Sequence, residues 1–555
     1  MAVCDLAAGE SVEIDGRRVV TRAPIACGHK VALRDIAAGE SVRKYGWPIG
    51  RALRAIAAGE HVHTANLGTR LEGLSEYVYR GGANAWGVAP AAVSAGDAAE
   101  TRGAGGASSE PSTVAAAVRR AAADGPAAAI STASTAVAAA HVSSTAAATH
   151  AAAAHASGSA AHAPWPSTFM GYRRKNGRVG TRNEIWILCT VGCVARTAER
   201  IAGIGTARFD GRIDGVHAFT HPFGCSQLGD DLSRTRRILA SLALHPNAGG
   251  VLIIGLGCES NQLDKLLAEA ADLDTTRVRA FSAQAADDEV EQGIRALEEL
   301  VAIAERDKRE PCPLSELKVG LKCGGSDGFS GITANPLVGY VADCVAAAGG
   351  TPILTEIPEI FGAEHLLMER AANEQVFRDI VAVVNDFKRY FLDNGQPIYE
   401  NPSPGNIAGG ITTLEEKSLG AVQKGGHAPV GEVLRYGERA SRPGLALLEA
   451  PGNDAVSSTA LVAAGATILL FTTGRGTPLG FPAPTLKIAS SSALALKKPH
   501  WIDFDAGNVL GGARSLREAG DELMRLVIDT ASGKRARNEQ NGQREISIWK
   551  GGVTL

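Results

Sequence analysis

The chain has 555 residues and a formal net charge of −3, a length that predicts two to four domains. The near-neutral charge gives no electrostatic signature of nucleic-acid binding, and no apolar run reaches the roughly 18 residues of a membrane span. The first residues lack the basic start and apolar stretch of a signal peptide, which predicts a cytoplasmic protein. The nine cysteines are then expected to be reduced, which favours metal or catalytic roles over disulfides.

Residues 1–75 carry one sequence pattern three times, and the repeat predicts a compact all-β module. In each copy Ala-Gly-Glu stands between short β-type runs, as expected for repeated turns of a small domain. The copies are Leu6–Val12, Ile36–Val42 and Ile56–Val62. One residue separates His61 from His63, so both would face the same side of a strand. With His29 they either bind a ligand or a metal, or form a solvated strand face.

Residues 76–165 form a low-complexity segment rich in alanine, serine, threonine, glycine and histidine. Few large apolar side chains are available there to offset the entropy cost of ordering the chain. The segment is therefore predicted to be a long disordered linker.

From Pro166 to the end of the chain, apolar β-type runs alternate with helical patterns. Such alternation predicts βαβ units and an α/β fold with a parallel sheet. A boundary is expected near Arg309–Pro313, which separates a first α/β part (166–310) from a second (311–555).

Four cysteines each follow an apolar run and stand beside glycine, a pattern typical of a buried strand that ends in a tight turn. Ligands of open parallel sheets bind beyond the carboxyl ends of the strands. The spacings of 32, 33 and 65 residues fit successive βαβ units, so the four thiols are expected to meet in one metal site. These cysteines are Cys193, Cys225, Cys258 and Cys323.

Nitrogen and oxygen ligands lie next to two of these cysteines. His221 precedes Cys225 by four residues, and Glu259 follows Cys258 directly. A mixed set of sulfur, nitrogen and oxygen ligands suits Fe(II) or Zn(II). The sequence has no Cys-x-x-Cys pair, which argues against a zinc ribbon.

The run Lys322–Pro336 is dense in glycine and carries the polar residues Ser326, Asp327 and Asn335. Such a loop either cradles a polyol carboxylate, completes a metal shell or forms a structural turn. It is not a Walker loop, because no Gly-Lys-Ser/Thr follows at the required spacing.

Charged residues at later strand ends and loops are further candidates. Glu356 either acts as a general base or caps a helix. Arg475, flanked by glycines, either clamps a carboxylate with two hydrogen bonds or is an ordinary surface residue. Lys417 and Lys424 are additional cations. The polar candidates in the remaining glycine-rich loops are Asn406 and Asn453.

Six long motifs give the chain a resemblance to the altronate and galactarate dehydratases. The motifs are Gly171–Asn183, His221–Asp231, His245–Gly250, Gly255–Glu259, Cys323–Pro336 and Asn401–Asn406. The resemblance covers both ends of the chain and identifies residues 1–75 as a SAF-type β-clip domain. The alanine- and histidine-rich segment looks longer than the usual linker of the family.

The resemblance implies an Fe(II)-dependent hydro-lyase that converts D-altronate to 2-dehydro-3-deoxy-D-gluconate in hexuronate catabolism. It also implies a Rossmann-like catalytic part at 311–555 that carries the metal, and a homodimer with 166–310 as its dimerisation region. Galactarate dehydration is the alternative reaction. A non-enzymatic sugar-acid sensor is the remote alternative.

Site roles are assigned from the chemistry that this reaction requires. The metal ligands are expected to be Cys225, Cys258, Cys323 and His221, with Cys193 in reserve. Mn(II) is a second candidate ion, and an iron–sulfur cluster on three cysteines is the alternative cofactor. The expected catalytic groups are Glu356, Asp327 and His221. The substrate is expected to contact Arg475, Lys417, Asn335, Asn406, Asn453 and Ser326.

Overall fold

The computed structural model describes residues 1–14, 16–79, 119–120 and 165–555. The predicted linker lies almost entirely outside these ranges. No helix in the described ranges combines the length and apolar character that crossing a membrane requires.

The N-terminal module consists of short antiparallel strands, as the repeat predicts. Its strands are β1 (Ser11–Ile14), β2 (Arg17–Val20), β3 (Lys30–Val31), β4 (Ser41–Lys44), β5 (Trp47–Ala52), β6 (His61–Val62) and β7 (Leu67–Gly68). A further short strand, β8 (Arg119–Arg120), pairs with β1. The strand β1 pairs with β2, β3 with β6, and β5 lies between β4 and β7.

Each repeat of the module is a tight turn closed by its own glutamate. The glycines of the three copies have left-handed φ angles of 77°, 80° and 81°, which only glycine adopts at no steric cost. Glu10, Glu40 and Glu60 each accept a hydrogen bond from the backbone N–H three residues earlier, at 2.8, 2.9 and 3.0 Å. The sequence pattern therefore encodes turn geometry.

The first α/β part contains a four-stranded parallel sheet in the order β12-β11-β13-β14 and a small antiparallel sheet in the order β10-β9-β15. The strands β11 and β13 are buried along their whole length, because helices cover both faces. The elements are β9 (Thr168–Arg173), β10 (Val179–Gly180), β11 (Glu184–Cys189), α1 (Ala195–Arg208), β12 (Gly215–Phe219), α2 (Gly229–Ala243), β13 (Ala248–Gly255), α3 (Leu263–Glu269), β14 (Val278–Ser282), α4 (Glu289–Ala304) and β15 (Glu310–Pro313).

The second α/β part is built on a seven-stranded parallel sheet in the order β18-β19-β17-β16-β20-β21-β22. Its strands are β16 (Lys318–Cys323), β17 (Thr351–Leu354), β18 (Val430–Leu434), β19 (Leu445–Leu448), β20 (Ile468–Thr473), β21 (Thr485–Ala489) and β22 (Phe504–Asp505). Its helices are α5 (Ala334–Ala347), α6 (His365–Met368), α7 (Glu374–Asp393), α8 (Pro404–Ala408), α9 (Leu414–Ala421), α10 (Asp454–Ala463), α11 (Ser492–Lys497), α12 (Leu516–Ala531) and α13 (Arg537–Gln540).

The predicted α/β class with parallel sheets and a small N-terminal β module is confirmed. In each parallel sheet the chain adds strands first towards one edge and then towards the other. The change of direction falls between β11 and β13 in the smaller sheet and between β16 and β20 in the larger. Open α/β sheets bind ligands at such switch points, beyond the carboxyl ends of the strands. The fold thus offers two candidate crevices.

Candidate functional site

A buried cluster of charged residues lies at the switch point of the seven-stranded sheet. The central strand β16 ends in Cys323, and the glutamates follow the neighbouring strand β17. Helix α9 and the turn after it bring two lysines to the same place. This lysine–glutamate cluster consists of Lys322, Cys323, Glu356, Glu359, Lys417 and Lys424, all of them buried.

Glu356 stands at the centre of the cluster. One of its carboxylate oxygens accepts a very short hydrogen bond from Lys322 Nζ. The other accepts from Lys424 Nζ at 2.7 Å and from the Cys323 backbone N–H at 3.1 Å. Lys424 Nζ also lies 2.8 Å from Cys323 Sγ. A single carboxylate is therefore held by two ammonium groups and one backbone donor.

Glu359 and Lys417 form the second half of the cluster. Lys417 Nζ donates to Glu359 Oε1 at 2.8 Å and to the amide oxygens of Asn401 and Asn406 at 2.9 and 3.1 Å. The Cys323 thiol donates to the other oxygen of Glu359 across 3.6 Å. Cys323 thus joins the two ion pairs.

The pKa directions in the cluster follow from burial and from these pairs. Burial raises the pKa of the Cys323 thiol to about 11, so it is protonated at neutral pH. Burial also opposes charge on Lys322, but Asp454 and Glu356 outweigh it and the lysine pKa is raised. For Glu359, burial would raise the pKa, yet Lys417 and Lys322 bring it below its ordinary value. Lys322 and Glu359 are therefore charged at neutral pH.

Cys323, Glu356 and Glu359 also form a possible buried metal site, because one ligand atom from each lies within 4.8 Å of the others. Their charge does not fit an added dication. The ammonium groups of three lysines already balance the two glutamates and Asp454, which is 2.9 Å from Lys322. Each ligand atom also has a hydrogen-bond partner within the cluster. A divalent ion here would have to displace at least one buried ammonium.

Glu356 has a left-handed backbone, with φ 72° and ψ 56°, immediately before the 3₁₀ turn Ile357–Glu359. This conformation is uncommon for a residue other than glycine, asparagine or aspartate, and such positions concentrate at functional sites. The surrounding ion pairs and backbone hydrogen bond stabilise it. The geometry aims the carboxylate at the cluster and rules out the alternative role of a helix cap, since its side chain makes no capping bond.

Three of the predicted site residues have structural roles in this arrangement. Asp327 accepts hydrogen bonds from Phe329 and Ser330 N–H, and from the hydroxyls of Ser330 and Ser490, which fixes the glycine-rich loop. Asn335 bonds the Gly420 carbonyl and the Thr472 hydroxyl. Asn453 caps α10 through Ala455 and Val456 N–H. Neither asparagine has its side chain directed at the lysine–glutamate cluster.

Other predicted contacts do lie at the cluster or its rim. The amide nitrogen of Asn406 donates to the Ser326 carbonyl at 2.9 Å, and its oxygen accepts from Lys417. Arg475 is exposed, and its backbone N–H donates to the Gly325 carbonyl at 2.9 Å, beside the end of β16. The structure therefore brings Cys323, Glu356, Lys417, Asn406 and the Ser326 loop together.

The N-terminal module covers this site through contacts with helix α9. Lys30 and Lys44 donate to the two oxygens of Glu416 at 2.8 Å each. Glu416 and Lys417 are adjacent in α9, so one helix contacts both the module and the cluster. Burial would raise the pKa of Glu416, but the two lysines lower it to about 2.

Tyr45 extends the closure from the β4–β5 hairpin. Its φ of 58° and that of Gly46, 79°, are the pair of left-handed angles that a two-residue hairpin turn requires. The Tyr45 hydroxyl lies against Gly331 in the glycine-rich loop. The cavity left between the module and the loop, lined by Lys44, Tyr45, Cys323, Asp327 and Lys417 among others, measures about 20 Å³. It admits about one water molecule.

A larger cavity of about 820 Å³ lies elsewhere, where α2 faces α7 and β18. It is lined by residues such as Arg237, Asn373 and Glu432 and by none of the predicted site residues. Its size alone does not make it the reaction site, because the switch point and the buried charges lie at the smaller cavity.

The structure does not bring the four strand-end cysteines to one ion. Cys193, Cys225 and Cys258 are exposed at the carboxyl edge of the four-stranded sheet, whereas Cys323 is buried in the other sheet. In the described ranges, the one group of ligand atoms close enough to share a metal contains Cys323 and none of the other three. The sequence pattern places a cysteine at a strand end but does not tell which sheet the strand joins.

His221 is buried and its two ring nitrogens are occupied by backbone groups. Nε2 lies 2.9 Å from the Cys189 carbonyl, and Nδ1 accepts from Phe223 N–H at 3.2 Å. Burial lowers its pKa, which keeps the ring neutral. The side chain therefore holds the loop that carries Cys225, in a different part of the chain from Glu356.

The three histidines of the N-terminal module do meet. Their ring centroids are 5.0–5.1 Å apart, and His29 Nδ1 lies 3.0 Å from His61 Nε2. His63 Nε2 contacts the Ile407 carbonyl at 3.1 Å, and burial lowers the pKa of His61 to about 4. His29 Nε2 lies 3.4 Å from the Ala408 carbonyl, so His29 and His63 both connect the module to the second α/β part.

Sequence reasoning missed three residues of the site: Lys322, Lys44 and Glu416. Lys322 carried a signal, because a lysine that follows the uncharged run Val319–Leu321 inside a buried strand must find a buried anion. Lys44 and Glu416 meet across more than 370 residues of chain, and no local pattern indicates such a pair.

Three family models match the chain, each over one part of it. A SAF domain of altronate/galactarate dehydratases matches residues 1–70. The second domain of D-galactarate dehydratase/altronate hydrolase matches residues 171–305. The C-terminal domain of D-galactarate/altronate dehydratase matches residues 314–554.

The chain is similar to two proteins named altronate dehydratase. The Escherichia coli (strain K12) protein is 47% identical over 100% of this chain and 97% of its own length. The Bacillus subtilis (strain 168) protein is 43% identical with the same coverage. The galactarate dehydratase (L-threo-forming) of Escherichia coli (strain K12) is 38% identical over 66% of this chain and 73% of its own length.

Proposed function

Because this chain belongs to the altronate and galactarate dehydratase family, we propose that it is a hydro-lyase that converts D-altronate to 2-dehydro-3-deoxy-D-gluconate. The relatives named altronate dehydratase support altronate over galactarate, since they align along the full chain at 43–47% identity. The galactarate dehydratase aligns over only 66% of the chain at 38%. The proposed place of the reaction is hexuronate catabolism.

The reaction needs cations near the carboxylate of the substrate. Removal of the C2 proton places negative charge on the carboxylate as an enediolate, and preorganised positive groups stabilise such charge best in a site without water. The lysine–glutamate cluster supplies three buried ammonium groups at the switch point of the sheet. This is the observation that carries the proposed function.

Within the cluster, the proposed proton acceptor is Glu356, which forms ion pairs with Lys322 and Lys424. As the enediolate forms, Lys322 and Lys424 can transfer part of their interaction from Glu356 to the new negative charge on the substrate. The Glu356 carboxylate then becomes more basic. Lys417, held by Asn401 and Asn406, is the proposed contact for the substrate carboxylate. Arg475, exposed at the rim, is proposed to guide the anionic substrate in.

The protons balance between two residues. Glu356 takes the C2 proton, and the C3 hydroxyl leaves as water with a proton from the Lys424 ammonium. The enol that remains tautomerises to the 2-keto acid. Glu356 then returns its proton to Lys424 across the 2.7 Å contact that already joins them, which restores the starting state.

Iron dependence is part of the proposal, because the family resemblance implies Fe(II), with Mn(II) as a substitute. The charges of the lysine–glutamate cluster do not fit an added dication. No step of the proposed mechanism therefore passes through a metal at Cys323, Glu356 and Glu359. A homodimer and a cytoplasmic location stay predictions.

The test is a substrate panel assayed with purified full-length chain under reducing conditions, with and without Fe(II). D-altronate, other aldonates, galactarate and glucarate are incubated and the 2-keto-3-deoxy acid product is measured. We expect D-altronate to give the highest kcat/KM, by at least tenfold. A preference for galactarate would overturn the substrate assignment, and no turnover of any sugar acid would support the sensor.

A further inference from the structure

We propose that Cys193, Cys225 and Cys258 hold an iron–sulfur cluster at the switch point of the four-stranded sheet. The proposal goes beyond the proposed function, because it concerns a second site in a different α/β part and stands whichever sugar acid the chain dehydrates. The three residues are called the cysteine edge below.

The topology places the cysteine edge where an open α/β sheet binds its ligands. Cys193, Cys225 and Cys258 follow β11, β12 and β13, which are three adjacent parallel strands in the order β12-β11-β13. Neighbouring strands are about 4.8 Å apart, so the loops after these strands emerge within about 10 Å of one another. The strand order reverses between β11 and β13, inside this set.

Each cysteine of the edge is preceded by a glycine at a position where a side chain would clash with backbone or strain the backbone conformation. A Cβ on Gly192 would lie 2.9 Å from the His221 carbonyl oxygen, and one on Gly224 would lie 2.1 Å from the Thr190 oxygen. Gly257 has a φ of 130°, and its Cβ would lie 2.8 Å from a Gln284 side-chain oxygen. A glycine therefore shapes the backbone of each of the three loops directly before its cysteine.

Hydrogen bonds tie the three loops together. Gly192 N–H donates to the Phe223 carbonyl at 2.8 Å, which joins the loops of Cys193 and Cys225. Asn261 completes the set, because its backbone N–H donates to Gly224 at 2.9 Å and its side chain donates to Thr190 at 3.0 Å. The loops are thus one preorganised unit, as a cofactor site requires.

The buried carboxylate of Glu259 stabilises this unit, and its hydrogen bonds leave it no freedom to act as a ligand. Glu259 accepts from the Thr190 hydroxyl at 2.5 Å and from Leu256 and Gly257 N–H at 3.1 and 2.6 Å. Burial opposes its charge, but these donors lower its pKa. Glu259 therefore fixes the turn before Cys258 in the same way that His221 fixes the turn before Cys225.

The state of the three thiols favours a cluster over a disulfide or a single ion. All three are free and exposed, although a free cysteine without a function is usually buried. Among the residues with described positions, they do not form a group whose ligand atoms lie within 4.8 Å, the arrangement for one ion. An iron–sulfur cluster is wider than one ion and spaces its cysteines farther apart. Three thiolates leave one iron of a four-iron cluster open to an oxygen ligand.

The experiment uses the full-length chain, purified without oxygen and incubated with Fe(II), sulfide and a thiol reductant. We expect a broad absorption band near about 400 nm and about four iron and four acid-labile sulfide per chain, the content of a [4Fe–4S] cluster. Iron bound without sulfide, or neither bound, would overturn the proposal. The single variants Cys193→Ser, Cys225→Ser and Cys258→Ser should each lose the band, while Cys323→Ser and Cys4→Ser should keep it.

Alkylation of the wild-type chain provides a readout that does not depend on how the variants fold. Iodoacetamide followed by mass spectrometry should label all three cysteines of the edge in the chain without iron, and should label them at least tenfold more slowly after reconstitution. Cys4 and Cys27, which are exposed in the N-terminal module, serve as internal controls and should react equally in both samples. Equal labelling of the cysteine edge before and after reconstitution would refute the assignment.

Discussion

Lys424 Nζ lies 2.8 Å from Cys323 Sγ and 2.7 Å from a carboxylate oxygen of Glu356, so one buried ammonium serves a thiol and a carboxylate at once. The contact explains why three potential metal ligands lie together without excess negative charge. In the proposed mechanism, the 2.7 Å contact is also the path by which Glu356 returns its proton to Lys424. The consequences of this contact can be measured by substitution.

Replacement of Lys424 by methionine should lower the free energy of unfolding by about 3 kcal/mol, because it leaves the buried Glu356 with one ammonium partner instead of two. Turnover should fall by at least about 100-fold, as expected when a general acid is removed. Urea unfolding gives the first quantity and the product assay the second.

The double variant Lys424→Met with Glu356→Gln is the matched control. It removes both charges, so its loss of stability should be smaller than the sum of the two single losses by at least about 1 kcal/mol. Strictly additive losses would contradict the ion pair. Cys323→Ala should cost less than either, since its thiol, with a pKa of about 11, carries no charge at neutral pH.

How far the sequence predicts this site depends on the residue. The strand that ends at Cys323 and the carboxylate at Glu356 are visible as local patterns, because apolar runs and glycine mark strand ends. The partition of the cysteines between two sheets is not visible, since β11 and β16 have the same kind of apolar sequence and differ only in their neighbours. Pairs such as Lys44 with Glu416 depend on how the module docks, which no local pattern encodes.

The substitution Glu416→Gln should loosen the N-terminal module. Lys30 and Lys44 would then face each other without the carboxylate that separates them, which costs about 3–5 kcal/mol for a broken buried pair. Faster proteolysis between the module and the catalytic part would report the loosening. The control Glu40→Gln, at a half-buried position in a turn of the same module, should leave proteolysis close to that of the wild type.

The ion pairs of Glu416 with Lys30 and Lys44 make docking of the module sensitive to acid. The pKa of Glu416 is about 2 in the folded chain against an ordinary value of 4.5, so the unfolded chain binds more protons between these pH values. The stabilisation is fully present above about pH 4.5 and is lost as the pH falls towards 2. Thermal unfolding between pH 6 and 3 should show a smaller decrease for Glu416→Gln than for the wild type, and an equal decrease would contradict this assignment.

Asp327→Asn tests whether this residue positions the loop or takes the proton. Its carboxylate accepts four hydrogen bonds from donors that an amide nitrogen cannot satisfy equally, so we expect lower stability and lower kcat. A positioning residue leaves the pH dependence of kcat/KM unchanged in shape. Disappearance of one limb of that profile in the variant would instead make Asp327 the base.

Asn453→Ala should remove a helix cap and little else. The side chain accepts from Ala455 and Val456 N–H at the start of α10, so its loss should cost about 1 kcal/mol. We expect KM for D-altronate to stay within about twofold, and Asn453→Ser to recover most of the stability. A tenfold rise in KM with unchanged stability would show that Asn453 contacts the substrate.

The most direct test of the central claim is the turnover of D-altronate by Glu356→Gln. The variant and the wild type are compared at equal iron content, with circular dichroism and thermal unfolding to establish that both are folded. If Glu356 is the proton acceptor in the lysine–glutamate cluster, kcat/KM should fall by at least about 100-fold. A folded variant with kcat/KM within about threefold of the wild type would contradict the placement of the reaction at this cluster.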